Sequence, residues 1–130
     1  MIHYMDSSAL MKLVWREDHS DALTSWVKSD PPDIVISELV VAECMRTARR
    51  LSPQVVHDTR TLLRTFRLRT MSEDIWTWAC EINPLSLRSL DALHLSVALS
   101  FGALLDSVVT YDKRLTDACT AYGVRVIAPA

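Results

Sequence analysis

Four acidic residues of this 130-residue chain stand beside patterns typical of strands and helices, and their side chains can bind metal ions. Asp6 and Asp112 each follow a short apolar run. Asp91 opens an apolar helical pattern, and Glu43 lies inside another. Mg²⁺ takes carboxylate oxygens as ligands and keeps several waters of its own. If the four side chains meet, the sequence predicts a divalent-cation site, and metal-assisted phosphodiester hydrolysis is the chemistry that such a site suggests.

Two hydroxyl side chains lie close in sequence to two of these acids. Ser8 follows Asp6 by two residues, and Thr110 precedes Asp112 by two. In an extended chain, residues two apart share a face. If the chain remains extended through these positions, each hydroxyl can orient a carboxylate or a metal-bound water.

The acids also have a purely structural interpretation. Asp6, Asp91 and Asp112 could each stabilise a helix N-terminus, where aspartate is favoured. This does not explain Glu43, whose helical row is otherwise made of residues that face inward. A lone carboxylate is costly to bury, so Glu43 should have a partner or a metal. Both interpretations stay open at this point.

The elements that must position these residues alternate between strands and helices. The predicted strands are Ile2–Met5, Asp33–Ile36, a weaker Phe66–Thr70, Val108–Tyr111 and Val124–Ile127. The predicted helices are Ser7–Arg16, His19–Lys28, one capped by Ser37 and running to about Arg50, one from Pro53, one capped by Ser72, one capped by Ser89 and ending before Gly102, and Lys113–Tyr122. Such alternation predicts an α/β fold with a parallel sheet covered on both faces. Ligands of such sheets bind beyond the carboxyl ends of the strands, where Asp6 and Asp112 are expected.

Composition favours one domain spanning residues 1–130. Hydrophobic residues make up 49% of the chain, enough for a compact core. No run of eighteen apolar residues and no signal-peptide pattern occurs, so we expect a cytoplasmic protein without a membrane segment. Cys44, Cys80 and Cys119 form no CxxC pair, which favours reduced, buried thiols over disulfides or a zinc site.

The net charge of −2 conceals a basic segment. Seven arginines lie between Arg46 and Arg69, against one acid, Asp58. Arginine can hold phosphate oxygens with two parallel hydrogen bonds, so the segment could contact a nucleic acid. It could equally be a solvated helix face, as most charge runs are.

The four acidic motifs, taken together, resemble a known family. They are Met5–Leu10, Glu38–Glu43, Leu90–Leu95 and Val109–Leu115. In this order and at this spacing they resemble the motifs of PIN domains, and more closely those of VapC-type ribonuclease toxins from bacterial toxin–antitoxin systems. The resemblance extends from Ile2 to Pro129, nearly the whole chain.

The resemblance implies a three-layer α/β/α sandwich with a central parallel sheet and an endoribonuclease that depends on Mg²⁺ or Mn²⁺. It also implies a homodimer and inhibition by a cognate VapB-like antitoxin. By match of motif, the metal-site and catalytic acids would be Asp6, Glu43, Asp91 and Asp112, supported by Ser8 and Thr110.

Other residues near these motifs are weaker candidates. Asp117 lies about 140° around a helix from Asp112, so it is predicted to be structural. His94 could reach a metal, but a hydrogen-bonded core or partner-facing histidine is the favoured interpretation. The four tryptophans could stack on bases, although core or dimer contacts are more usual for them.

Three other function classes fit parts of the pattern. A receiver-like phosphoacceptor domain needs an acid pair after the first strand and a lysine after the last, but Ser7 and Ser8 follow Asp6 and residues 124–130 contain no lysine. A phosphatase with an aspartate nucleophile needs Asp-x-Asp, and position 8 is serine. A non-catalytic RNA-binding or scaffold module on the same fold is the remaining alternative, because a fold does not determine function.

Overall fold

The computed structural model describes residues 1–29 and 31–130. Five strands form one parallel sheet: β1 (Ile2–Met5), β2 (Asp33–Ser37), β3 (Arg67–Arg69), β4 (Leu105–Val109) and β5 (Val126–Ile127). Their spatial order is β3-β2-β1-β4-β5. Helices flank this sheet, and the predicted α/β/α architecture is confirmed.

Seven α-helices occur in the described ranges: α1 (Ser7–Met11), α2 (Ser20–Ser29), α3 (Glu38–Leu51), α4 (Pro53–Leu63), α5 (Glu73–Glu81), α6 (Ser89–Leu99) and α7 (Lys113–Ala121). No helix among the described residues is both long and apolar enough to cross a membrane.

The core lies on both faces of the central strands. Tyr4 and Met5 of β1, and Val108 and Val109 of β4, are almost completely shielded from solvent. Covering on both faces explains why consecutive residues of each strand, Tyr4–Met5 and Val108–Val109, are apolar and buried rather than alternating with polar ones. Burial of each such side chain contributes roughly 1.5–3 kcal/mol. Cys44 and Cys119 also lie in the core as free thiols, whereas Cys80 is exposed on α5, so the predicted burial is wrong for Cys80.

Strand order places a topological switch point at β1. The chain proceeds from β1 outward through β2 to β3, and then returns to the other side of β1 as β4 and β5. Connections therefore leave β1 and β4 in opposite directions and open a crevice at their carboxyl ends. Asp6 follows β1 directly, and Asp112 lies three residues after the end of β4.

Several predicted boundaries were wrong, including those of the third strand, which is Arg67–Arg69, and the start of the last strand, which is Val126. The helix predicted to reach Arg16 ends at Met11, where turns begin, and Lys12 Nζ donates to the carbonyl of Asp18, 2.8 Å away. The fourth strand ends at Val109 rather than Tyr111. Ser89 is the first residue of α6 rather than its cap, so Asp91 is the third helical residue.

Candidate metal and catalytic site

Asp6 is the most enclosed of the four acids, with 4% of its surface exposed. Its Oδ1 accepts hydrogen bonds from the Ala9 backbone N–H (3.1 Å) and the Ser8 hydroxyl (2.8 Å), and its Oδ2 accepts one from the Thr110 hydroxyl (2.6 Å). Burial raises the pKa of Asp6, and these hydrogen bonds oppose the rise. Because a carboxylate oxygen has two lone pairs, Oδ2 retains the capacity to bind a cation.

The two predicted supporting hydroxyls lie beside Asp6, but not for the predicted reason. Ser8 is in the first turn of α1 rather than in an extended segment, and Asp6 is the N-cap of that helix. The Thr110 hydroxyl donates to Asp6 and accepts from the backbone N–H of Asp112 at 3.0 Å. Thr110 therefore connects the ends of β1 and β4 instead of orienting the carboxylate of Asp112.

Asp91 and Asp112 approach from the starts of two helices. Asp91 is buried in the first turn of α6. Asp112 is exposed and caps α7, its Oδ1 accepting from the backbone N–H of Arg114 at 2.8 Å. The pKa of Asp91 is raised by burial and, next, by the charge of Asp112. The two carboxylates repel each other, and a cation between them would relieve the repulsion.

Glu43 is half-buried on α3 and is held by a histidine. Its Oε1 lies 2.7 Å from Nε2 of His94, and Nδ1 of His94 lies 2.7 Å from the hydroxyl of Tyr4. His94 is therefore a hydrogen-bonded core residue, as the sequence favoured, with 4% of its surface exposed. Tyr4 was missed, because a tyrosine inside an apolar strand gives no sign of a polar partner.

All four acids line one pocket of about 340 Å³ at the carboxyl edge of the sheet. Ser8 and His94 line it as well, while Thr110 is completely buried. Asp117 does not line this pocket; it lies on the exposed surface, 3.6 Å from Lys113 Nζ. It lines a neighbouring pocket together with Asp91 and Arg114, and its structural role stays a prediction.

The four tryptophans lie away from the acids. Trp26 packs edge-on against His3, with ring centroids 5.3 Å apart. Trp76 and Trp78 are exposed on α5. Trp15 lines a neighbouring pocket that shares Ser7 and Ser8 with the acidic one.

The donor set suits a hydrated hard cation. Among the described residues, no three His, Cys, Asp or Glu side chains lie close enough together to hold a metal ion directly. The carboxylates instead surround a pocket that can also contain water. Mg²⁺ binds in this manner, through one or two carboxylates and several waters, whereas zinc requires a compact tetrahedral set.

Two arginines that the sequence pattern did not indicate also line the pocket. Arg88 and Arg114 line it together with the acids and lie outside the basic segment between Arg46 and Arg69. The only local signal is their sequence proximity to Asp91 and Asp112. Both lower the pKa of Asp91, against the larger effects of burial and of Asp112.

The basic segment itself lies elsewhere. Four of its arginines line a separate groove with an apolar floor, and this groove shares no residue with the acidic pocket; they are Arg46, Arg49, Arg60 and Arg64.

Comparison with known proteins gives concordant results. The PIN domain family matches residues 3–120. Ribonuclease VapC46 of Mycobacterium tuberculosis H37Rv is 37% identical over 127 residues, covering 98% of this chain and 97% of that protein. Ribonuclease VapC35 of the same organism is also 37% identical, with 97% and 96% covered.

Solved structures show the same fold at lower identity. A toxin–antitoxin complex from Klebsiella pneumoniae matches with a TM-score of 0.75 and 21% identity, covering 98% of each chain. Mycobacterium tuberculosis VapC20, described as a toxin that cleaves the sarcin–ricin loop, matches with a TM-score of 0.74 and 17% identity, covering 89% of this chain and 94% of that one.

Proposed function

The chain belongs to the PIN domain family, and from this premise we propose that it is a divalent-metal-dependent endoribonuclease, the toxin of a toxin–antitoxin pair. The observation that supports the catalytic proposal most directly is that carboxylates from four separate elements line one pocket. Without a cation these carboxylates would repel one another, and a scaffold or simple RNA-binding module does not require such an arrangement.

We assign the metal site to Asp6, Glu43, Asp91 and Asp112, with Mg²⁺ or Mn²⁺ as the ion. When bound, such an ion polarises the phosphodiester and provides a nucleophile at neutral pH. Asp6 is held in a fixed orientation by Ser8 and Thr110.

Arg88 and Arg114 have a different role in this proposal. Their guanidinium groups can contact the non-bridging oxygens of the scissile phosphate, because both side chains line the pocket. They would stabilise charge that develops on the phosphate during cleavage.

The partners follow from the same assignment. RNA is the substrate, and we place its cleavage in the cytoplasm. A VapB-like antitoxin would lay an amphipathic segment along the helices and present Arg or Lys to the carboxylates, which neutralises the site. We also propose a two-fold homodimer, the commonest closed symmetry, and exposed Trp76, Trp78, Leu85 and Leu90 offer apolar surface for it.

The catalytic proposal is tested with purified protein and total cellular RNA. We expect new RNA ends to appear with Mg²⁺ or Mn²⁺, to disappear with a chelator, and to be absent with Asp91→Asn. Metal-dependent RNA binding without new ends would identify a non-catalytic module instead.

The partner proposals have separate tests. Co-expression with the adjacent reading frame should give a complex that co-purifies and no longer cleaves. A ribonuclease that is equally active with that product present would be a nuclease but not a toxin of this class. Light scattering of the isolated chain at micromolar concentration should give the mass of a dimer, and a strictly monomeric mass would refute it.

A further inference from the structure

A chain of buried hydrogen bonds runs from the start of α3 to the metal-site acid Glu43. The Val40 backbone N–H donates to Oγ of Ser37 (3.4 Å), and Ser37 Oγ lies 2.8 Å from the hydroxyl of Tyr4. That hydroxyl lies 2.7 Å from Nδ1 of His94, whose Nε2 lies 2.7 Å from Oε1 of Glu43. We call Ser37, Tyr4, His94 and Glu43 the Tyr4 chain.

We propose that the Tyr4 chain has one fixed direction, and that Tyr4 and His94 are positioning residues that hold the Glu43 carboxylate toward a divalent cation. The metal part of this inference rests on the proposed function, whereas the direction of the chain does not.

The two ends of the chain determine its direction. A backbone N–H can only donate, so Ser37 Oγ accepts from Val40 and has its own proton to give. An ionised carboxylate can only accept, so Nε2 of His94 carries the proton that faces Glu43. Between them, Ser37 donates to Tyr4 and Tyr4 donates to Nδ1 of His94. Every hydroxyl then donates once, and the imidazole is the neutral tautomer protonated on Nε2.

The opposite direction would leave a polar group without a hydrogen-bond partner at one end of the Tyr4 chain. If Nδ1 carried the only ring proton, two acceptors, Nε2 and Glu43 Oε1, would face each other at 2.7 Å. If both ring nitrogens were protonated, Tyr4 would donate to Ser37, whose proton would then have no acceptor in the Tyr4 chain. Leaving such a buried group without a partner costs about 1–3 kcal/mol.

Because the Tyr4 chain is buried, each of its polar groups needs a hydrogen-bond partner within the protein. Tyr4 and Ser37 are completely shielded and His94 is 4% exposed, so bulk water does not compete for these bonds. An acceptor bond at Nδ1 orients the ring and strengthens the donor at Nε2.

The location of the chain gives it a role beyond one hydrogen bond. Tyr4 is in β1, two residues before Asp6, which follows that strand directly, and His94 lies three residues after Asp91 on α6. Glu43 is on α3, whose N-cap is Ser37. The Tyr4 chain therefore connects the three elements that carry three of the four acids.

The direction is tested by ¹⁵N NMR of His94 in the metal-free protein. We expect a pyridine-type Nδ1 and a pyrrole-type, protonated Nε2 in the wild type. Tyr4→Phe, which removes only one oxygen, should leave the ring proton on Nε2, because Glu43 still accepts it, but should shift the ¹⁵N resonance of Nδ1, which loses its hydrogen-bond donor. A wild-type ring protonated on Nδ1, or unchanged ¹⁵N shifts in Tyr4→Phe, would overturn the proposed direction.

A matched control is available on the same helix. Ser96 is completely buried two residues after His94, and its hydroxyl has no hydrogen-bond partner among the described residues. Ser96→Ala also deletes one buried oxygen, but outside the Tyr4 chain. It should leave the His94 spectrum and Mn²⁺ affinity unchanged; the same changes in both variants would show a general packing effect.

The positioning role is tested by calorimetric titration with Mn²⁺ in a double-mutant cycle. Tyr4→Phe should weaken Mn²⁺ binding by about 10-fold, as loss of an outer hydrogen bond to a ligand does. In a Glu43→Gln background, Tyr4→Phe should weaken it no further, because Tyr4 acts through Glu43. Additive losses, or full Mn²⁺ affinity in Tyr4→Phe, would overturn the positioning role.

The cycle also separates this inference from the proposed function. If wild-type protein binds no Mn²⁺, the metal assignment and the positioning role both fall. The direction of the Tyr4 chain is then still decided by the NMR spectra, which require neither metal nor RNA.

Discussion

Acidic side chains lie both at the edge of the sheet formed by the amino ends of the strands, the amino edge, and at the edge formed by their carboxyl ends, the carboxyl edge. The two groups of acids differ in whether a basic side chain pairs with them. At the amino edge, Asp33 pairs with Arg67 at 2.6 Å, and Asp106 pairs with Arg125 at 3.2 Å and with His3 at 3.4 Å. Each of these acids has its cation within the chain. Such pairs are typical of a surface that contributes only modestly to stability.

The carboxyl edge is organised differently. Among the described residues, Asp6, Asp91 and Asp112 form no salt bridge with a lysine or arginine, although Arg88 and Arg114 line the same pocket. Hydroxyl and backbone donors hold Asp6 and Asp112 instead. Hydrogen bonds fix the geometry of these acids without cancelling their charge. At the amino edge the protein pairs its acids with its own cations, whereas at the carboxyl edge Asp6, Asp91 and Asp112 have no lysine or arginine partner among the described residues.

The largest expected difference between the edges is catalytic. Asp6→Asn keeps the shape of the side chain but loses its charge, so cleavage of total RNA should fall on the order of 10³-fold, the scale of losing one preorganised transition-state contact. Asp33→Asn makes the same chemical change at the amino edge and should leave the cleavage rate unchanged. Initial rates with saturating Mg²⁺ measure both. Equal rates for Asp6→Asn and wild type would remove Asp6 from the site.

The second-largest expected difference between the edges is in how their variants change the stabilisation of the protein by a bound metal ion. An ion that binds only the folded chain at 100 times its Kd adds about 2.7 kcal/mol to the free energy of unfolding. We expect Mg²⁺ or Mn²⁺ to raise the melting temperature of wild type and of Asp33→Asn alike. The rise should vanish in the double variant Asp6→Asn/Asp91→Asn. Without metal, that double variant should melt no lower than wild type, because Asp91 no longer repels Asp112.

RNA binding tests whether the arginines near the acids act on phosphate. In an inactive Asp6→Asn background, Arg88→Gln/Arg114→Gln should reduce the slope of log affinity against log salt by about 1.4, since each single-strand phosphate contact contributes about 0.7. The matched pair is Arg46→Gln/Arg49→Gln in the separate groove. A larger loss for the groove pair would place the main RNA contacts on the basic segment, and a flat salt dependence in wild type would contradict phosphate contacts altogether.

Much of this arrangement was predictable because it depends on local patterns. Apolar runs separated by helical patterns specify the parallel sheet, and acids after the strands then fall at one edge. Hydrogen-bond partners were not predictable in the same way. Thr110 and Asp6 are 104 residues apart in sequence, and their contact depends on which strands are neighbours. Tyr4 and His94 are 90 residues apart, and neither has a local signal for the other.

The amino edge has smaller expected effects, beginning with stability. The Asp33–Arg67 pair is largely exposed, with side-chain exposures of 41% and 66%. Asp33→Asn should therefore lower the free energy of unfolding by no more than about 1 kcal/mol, and less in high salt. Thermal unfolding at low and high salt measures this. A loss of several kcal/mol would mean that the amino edge is more than a solvated ion-pair surface.

The smallest effect concerns pH and comes from His3. Its Nδ1 lies 2.7 Å from the Ser107 hydroxyl and 3.4 Å from Asp106. Burial lowers the pKa of His3 below its ordinary 6.5, and this outweighs the attraction of Asp106. The unfolded chain therefore binds more protons at His3 than the folded chain does between the folded pKa and 6.5. Stability from His3 is fully present above pH 6.5 and is lost as the pH falls through that window.

His3→Gln should remove this dependence. We expect the melting temperature of wild type to fall more than that of His3→Gln between pH 7.5 and pH 5.5, with the other histidines contributing equally to both. If wild type instead gained stability relative to His3→Gln at low pH, the pair with Asp106 would dominate, and the amino edge would stabilise a protonated histidine. The comparison would then be sharper, because every ionisable group paired at the amino edge would be charged, while the carboxyl edge would still hold its acids for a cation.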